Sequence, residues 1–383
     1  MKQLADILPG VVEFRHRLHR IPELAGEEFE TSRLIRERIA GLGLELLPPL
    51  LGTDVVALLR GPKPGRNVTL RADIDALAVT EETGVDYASQ HPGRMHACGH
   101  DAHTAMLLGA AELLAARRDE IAGSVRFVWQ PGEENRALGR DLVAKGVLDD
   151  PPADLAATLH GMPDLPTGVL GFRSGASEAS CSHFKLTVRG CGGHSSRPQL
   201  ARDPVLAAAA LVVELQSVVS RRIDPMRSAV LSICRIAGGE LANVIPDVVE
   251  LEGTARALDQ ESADELERGV REIAETVCRA HRCACEVDYR NAYPVVYNDP
   301  EVTDLARRVA RETLGEEFVY ERPEPSMGAD DFAYYAQKVP SVYVKIGAGC
   351  AAGLHNAKYL FPDAAMRNGI LFLTEFALAG LRG

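Results

Sequence analysis

AVLSICRIAGGELANVIPDVVELEGTARA, residues 229–257, sets two strand-like runs next to one another with only a turn between them. Ala229 to Ile236 and Val248 to Ala257 read as strands, and the connecting GGELANVIPD is built from the residues that turns require. Upstream, Phe184, Leu186 and Val188 alternate as a half-exposed strand. Asp203-Pro204 then reads as a helix start, N-cap followed by proline at the first helical position, with an Ala/Leu/Val helix running to about Ser220. Downstream, Ala263, Leu266, Val270, Ile273 and Val277 recur at helical spacing, and a last strand lies near Cys285 to Tyr289. The order β-α-β-β-α-β is that of a ferredoxin-like α+β unit of about 110 residues.

On either side the pattern differs. In the first 175 residues helical and strand signals alternate. Leu34, Ile35, Ile39 and Leu42 form a helical stripe, Val55 to Leu59 and Val68 to Leu70 are short buried-strand runs, and Thr104 to Arg117 reads as a helix. Val125 to Trp129 and Leu155 to Leu159 are further strands. From Tyr293 the same style resumes, with a strand at Val342 to Ile346 and a closing helix after Pro362. Such alternation predicts an α/β domain with a mainly parallel sheet covered by helices. The domains expected are 1–180, an inserted 181–292 and 293–383, with a cleft between them of the kind that small-molecule sites occupy.

Composition narrows the function classes. Of 383 residues, 54 are acidic and 42 are Lys or Arg, a formal net charge of −12 that repels nucleic acid. No apolar run approaches the roughly 20 residues that span a bilayer, and MKQLADILPGVVEFRHRLHR becomes charged too early for a signal peptide. The eight cysteines are scattered without a C-x-x-C pair, as expected of reduced thiols in a cytoplasmic protein. A small molecule is the expected partner.

The densest polar segment is MHACGHDAHTAMLLGAA, residues 95–111. It groups His96, Cys98, His100, Asp101 and His103, so that thiolate and imidazole can converge on one cation across the turn at Gly99. Asp101 and His103 can instead cap the following helix or orient the ligands from behind. FVWQPGEEN ends an apolar strand with Glu133-Glu134, at the carboxyl end where open α/β sheets place ligands. One of the two can bind metal while the other takes a proton from water; spacing alone does not say which. His160 ends DLAATLHG in the same manner, and His355 follows the strand SVYVKIG.

Other signals are weaker. G-x-S-x-G, H-E-x-x-H and the phosphate-binding G-x-x-x-x-G-K-[ST] are absent. Gly347, Gly349 and Ala352 fit a loose dinucleotide pattern, but no helix follows. Cys278, His281, Cys283 and Cys285 read as core packing in preference to a second metal site. His16 and His19, among Arg15, Arg17 and Arg20, read as a solvated helix face. The GCGGHSS loop exposes His194 as either a turn residue or a site group.

Taken in order, LHRIPEL, LRADIDALAV, MHACGHDAHTAMLLGAA, WQPGEEN, GGHSSRP, ANVIPD, PSMGADDFAYY and LHNAKYLF resemble the metal-dependent amidohydrolases that include hippurate hydrolase, N-acyl-amino-acid amidohydrolase and the auxin-conjugate hydrolases, within the carboxypeptidase G and aminoacylase-type metallopeptidases. The resemblance runs almost end to end. It implies two divalent metal ions, Mn2+ or Zn2+ with Co2+ or Ni2+ also suited. Cys98 would bridge them, and His100, Glu134, His160 and His355 would complete the ligand set. Water activated between the ions would hydrolyse the amide of an N-acyl amino acid, with Glu133 as general base. The inserted unit would be the lid and the homodimer interface, carrying His194 and Asn243 for the carbonyl oxygen and Arg256 for a substrate carboxylate. Asp73 would support the ligands, and whether His194 serves its own subunit or its partner is left open.

The chain departs from the family pattern at Gly132, at Asn135-Arg136-Ala137-Leu138, at Asp330 in place of the usual glutamate, and at His183 and SGASEAS. None of these removes a proposed ligand. The competing readings are a dipeptidase or N-carbamoyl-amino-acid hydrolase of the same group, a metal-bearing binding protein without catalysis, and a thiol oxidoreductase centred on Cys98.

Overall fold

The computed structural model describes residues 3–382 and divides into two compact units. Of the described residues, the first comprises 3–175, 297–324 and 330–382; the second comprises 176–296 and 325–329.

The first unit is built on an eight-stranded sheet. Its order is Glu45–Leu46, Val55–Arg60, Ala122–Gln130, Lys63–Asp73, Leu155–Met162, Ser341–Gly347, Leu170–Phe172 and Val319–Glu321. The four central strands, from Ala122–Gln130 to Ser341–Gly347, run parallel. Antiparallel pairings flank them, Val55–Arg60 against Ala122–Gln130 and Leu170–Phe172 against Ser341–Gly347. The sheet is therefore mixed, with a parallel centre. Ser341–Gly347 is buried at every position, as a strand covered on both faces must be. The helices Leu4–Arg20, Phe29–Ile39, His100–Ala116, Pro300–Leu314 and Asp363–Arg382 complete this unit's core.

The helix read from Thr104 begins four residues earlier, at His100. Gly99, in the left-handed region at φ 85°, turns the chain, and its carbonyl accepts from the amides of Ala102 and His103. His100, Asp101 and His103 thus occupy the first turn, and their directions are helical ones.

The second unit has the element order Ser180–Arg189, Pro204–Glu214, Ala229–Ala237, Val248–Ala257, Gln260–Ala280 and Ala284–Tyr293. Its antiparallel sheet has Val248–Ala257 and Ser180–Arg189 at the centre and Ala229–Ala237 and Ala284–Tyr293 at the edges, the ferredoxin-like arrangement. Val248–Ala257 alternates buried and half-buried at every step, one face packing on the two helices.

One reading needs correction. The helical run Pro204–Arg222 has 19 residues and is apolar enough to cross a bilayer by length and composition. Ala207, Ala208, Leu211 and Leu215 bury one side of it in the core, while Leu206 and Val213 stay exposed on the other. A helix apolar on both sides hides its amphipathic period from the sequence.

Asp203 caps this helix, its carboxylate accepting from the amides of Val205 at 2.8 Å and Leu206 at 3.2 Å. Asp203→Ala should lower the stability of the second unit by about 1 kcal/mol in urea titrations, with an unchanged slope.

Candidate metal centre

The central strands deliver their polar residues to one edge of the sheet, at their carboxyl ends. Asp73 ends one strand and Asp75 follows it; Gly132-Glu133-Glu134 follows another; His160 lies near the end of a third; and His355 follows the fourth. Cys98 arrives on the loop before the helix His100–Ala116, and His100 on the first turn of that helix.

These side chains meet. Cys98 Sγ lies 3.4 Å from His160 Nε2, and Cys98, His100 and Glu134 place donor atoms within 4.8 Å of one another. Glu134 spans two histidines, with Oε1 at 3.8 Å from His100 Nε2 and Oε2 at 3.3 Å from His355 Nε2. His355 has φ 64°, unusual for a residue other than glycine, and its amide donates to Ala97 O at 2.8 Å.

The neighbours select the tautomers. His160 Nδ1 faces Gly161 O at 2.9 Å and His100 Nδ1 faces Asp75 O at 3.0 Å. A carbonyl can only accept, so Nδ1 donates in both, and each Nε2 is turned toward the cluster. Asp75 binds twice, because its Oδ2 also accepts from the Glu134 amide at 3.0 Å. It therefore sets a histidine and a glutamate relative to one another. The sequence reading gave Asp75 no role, although its position two residues beyond Asp73 puts it on the same side of an extended segment.

In two further groupings among the described residues, hydrogen bonds take up part of the donor set. Asp73, His100, His103 and His160 also lie within 4.8 Å of one another. His103, however, donates from Nδ1 to Asp73 at 2.7 Å and accepts from the Gly161 amide on Nε2 at 2.9 Å, so neither nitrogen is left for a cation. Glu133, Asp330 and Asp331 form the third grouping. Asp331 already accepts from Arg71, from Gln130 on both oxygens and from the Gly139 amide, all at 2.7–2.8 Å. Arg71, fully buried, also donates to Asp73 Oδ2 at 2.8 Å and Gln130 Oε1 at 3.1 Å.

The remaining donors fit a cation. His100 Nε2 and Glu134 Oε1 are buried and have no hydrogen-bond partner among the described residues. Burial, and then the charges of Glu134, Glu133 and Asp73, push the Cys98 thiol well above its ordinary range. Burial opposes charge on His100, but Asp73, Asp75 and Glu134 outweigh it and raise its pKa to about 10. Burial, with Asp330, Glu134, Asp331 and Asp75 around it, holds the Glu133 carboxyl far up. A thiol, imidazoles and a carboxylate sharing so small a space are the mixed donor set of a transition-metal or zinc site.

In the second unit, His194 and Asn243 are neighbours. Gly193–His194 pairs with Val244–Ile245, and the Ser195 amide donates to Asn243 O at 3.1 Å. His194 Nδ1 accepts from the Ser196 amide at 3.1 Å, which leaves Nε2 to carry the proton of the neutral ring. Arg256 donates to Met327 O at 2.6 Å.

Residues 69–379 match the peptidase family M20/M25/M40. The chain belongs to this family. It is 36% identical to N-acetyl-L-cysteine deacetylase of Bacillus subtilis over 98% of this chain and 89% of that protein. It is also 36% identical to thermostable carboxypeptidase 2 of Saccharolobus solfataricus, over 96% and 94%. The solved structure of a dinuclear metal binding peptidase of the M20 family from Bacillus subtilis superposes with a TM-score of 0.87 at 33% identity, covering 99% of both chains. This M20 chain is a metal-dependent hydrolase of amide bonds.

One sequence reading of this region is overturned. Arg15 and His19 do not lie on a solvated face, since Arg15 is fully buried and His19 is 1% exposed. His19 holds Asp101 through Nδ1 at 2.9 Å and Glu81 through Nε2 at 3.2 Å. A helix whose cations are paired inside looks solvated in sequence, because the partners are remote along the chain.

Two predictions follow from these networks. Arg71→Met leaves Asp73 and Asp331 buried without their cation and should cost about 3–5 kcal/mol in urea denaturation of the metal-free protein. For His19, burial disfavours charge, but Asp101 and Glu81 raise the pKa from 6.5 to about 9. A group raised on folding stabilises fully below its unfolded value and loses that contribution as pH rises through its folded value. His19→Gln should therefore be less stable than the parent at about pH 6, with the gap closing toward about pH 10. A gap independent of pH would show that the His19 pKa is not raised on folding.

Proposed function

We propose that this chain hydrolyses the amide of N-acyl amino acids to a carboxylic acid and a free amino acid, at a centre of two divalent cations. The observation that carries the reading is the convergence of Cys98, His100, Glu134, His160 and His355, from separate segments, beside the buried Glu133. Family membership and the deacetylase relative support the substrate class. Cys98, His100, Glu134, His160 and His355 would hold the ions. Mn2+ or Zn2+ suits this set, and Co2+ or Ni2+ would also bind. Bound there, the ions would supply Lewis acidity, polarising the scissile carbonyl and lowering the pKa of water.

The chain's own residues do the proton work. Glu133 accepts a proton from the attacking water and returns it to the leaving nitrogen. His194, with its proton on Nε2, and Asn243 would donate to the developing oxyanion. Arg256 would pair with the substrate carboxylate, and Asp73 holds His103 behind the ligands.

The second unit would act as lid and homodimer interface. Its edge strand Ala229–Ala237 and the exposed Leu206 and Val213 support a contact between copies. Sedimentation equilibrium should give a dimer, and Leu206→Glu with Val213→Glu a monomer. Cytoplasmic placement, with no nucleic acid or membrane partner, accords with the charge balance and scattered thiols.

A dipeptidase or N-carbamoyl-amino-acid hydrolase would use the same centre, and the carboxypeptidase relative keeps peptides on the substrate panel. A thiol oxidoreductase is disfavoured, because a thiol that burial drives upward is a poor thiolate without a cation. Ninhydrin detection of amino acid release from N-acetyl, N-benzoyl and N-carbamoyl amino acids and dipeptides tests the reading. Release from acyl amino acids should stop with chelator and return with Mn2+ or Zn2+. Glu133→Gln should lower kcat at least about a thousandfold with two metals still bound. Near-normal turnover by that variant would remove Glu133 as base, and absence of bound metal in the parent would overturn the centre.

A further inference from the structure

The first helix, Leu4–Arg20, contributes nothing to the donor cluster, yet it buries two cationic side chains on one carboxylate. Asp101 Oδ2 accepts from Arg15 Nε at 2.9 Å and faces His19 Nδ1 at 2.9 Å, with all three side chains between 0% and 1% exposed. Asp101 follows His100 directly, in the first turn of His100–Ala116. Desolvating three charged groups to attach one helix to another is a poor source of stability, since apolar side chains of the same size do that as well or better. Such a network does impose direction, because a carboxylate held by two donors has little freedom to turn.

Direction is what the adjoining turn lacks. Gly99, between Cys98 and His100, has φ 85° and no side chain to pack. The orientation of the two flanking side chains therefore depends on what holds the residues on either side of the turn. Asp75 holds the His100 ring, and the Arg15–Asp101–His19 network holds the backbone that carries it. The network is anchored at its far ends. Arg15 Nη1 and His16 Nε2 reach Asp363, at the start of the last helix, and His19 Nε2 reaches Glu81, whose other oxygen accepts from the Ser89 amide at 2.7 Å.

We propose that Arg15 and His19 are positioning residues for the metal centre: acting through Asp101, they hold the Cys98–Gly99–His100 turn in the geometry that receives the cation. The inference rests on reading Cys98 and His100 as ligands, and the experiment separates the two claims.

Metal-free protein is titrated with Co2+ against a chromophoric chelator, and the visible cobalt–thiolate spectrum is recorded. Arg15→Met and His19→Leu should weaken Co2+ binding about 10- to 100-fold and alter the spectrum. Arg15→Lys and His19→Gln, which keep one donor toward Asp101, should recover part of the affinity. His16→Phe removes a bond to Asp363 from the same helix without touching Asp101, so it reports general loosening of the helix and should bind as the parent does. Parental affinity and spectrum in Arg15→Met and His19→Leu would overturn the positioning role, as would an equal loss in His16→Phe. Where Arg15→Met fails to fold, His19→Gln and Arg15→Lys decide by the same comparison. A parent that binds no Co2+ would overturn the ligand reading and this inference with it.

Discussion

A strand buried on both faces has no room for uncompensated polar side chains along its length, so its chemistry is displaced to its ends. Four parallel strands arranged side by side in the first unit bring those ends to one edge of the sheet. Asp73, Glu133-Glu134, His160 and His355 are far apart in the chain, yet all belong to that edge or to the segments leaving it. The donor cluster is a consequence of strand direction before it is a consequence of any particular residue.

Carboxylates and imidazoles concentrated in this way repel and desolvate one another, and the surrounding structure answers with directed bonds. Arg71 balances Asp73 and Asp331 inside the sheet. Asp75 turns His100 and fixes the Glu134 amide, and Asp73 occupies one nitrogen of His103 while Gly161 occupies the other. Of three groupings of donor atoms among the described residues, hydrogen bonds consume key members of two. They leave His100 Nε2 and Glu134 Oε1 unpaired in the one that contains Cys98, and Asp330 Oδ2 in the one that contains Glu133. Selectivity for where a cation can sit is thus a matter of which lone pairs the neighbours have already taken.

The local pattern was legible wherever a local rule sufficed. Alternation gave the strand at Phe184–Val188, the turn-rich connection marked the strand Val248–Ala257, and the N-cap and proline at 203–204 gave a helix start with its hydrogen bonds as expected. Local rules failed where a distant group intervened. The helix at His100 starts early because Gly99 adopts a left-handed turn, and no spacing of apolar residues reports that. Arg15 and His19 read as solvent-facing because their partners, Asp101, Glu81 and Asp363, are many residues away. The flanking antiparallel pairings that make the sheet mixed depend on which strand lies beside which, and short buried runs do not encode their neighbours.

By itself the sequence determined the residue types at each turn and strand end, and with them the family, the ferredoxin-like unit and the candidate donors. A thiol, imidazoles and carboxylates beside turn glycines are chemical facts independent of folding. Tertiary structure alone decided which of those donors keep a free lone pair, how the histidine tautomers are set, and that a helix carrying no ligand ends inside the network behind Asp101. The reason is that a hydrogen bond or ion pair needs two partners within about 3 Å, and sequence supplies each partner without stating its distance from the other.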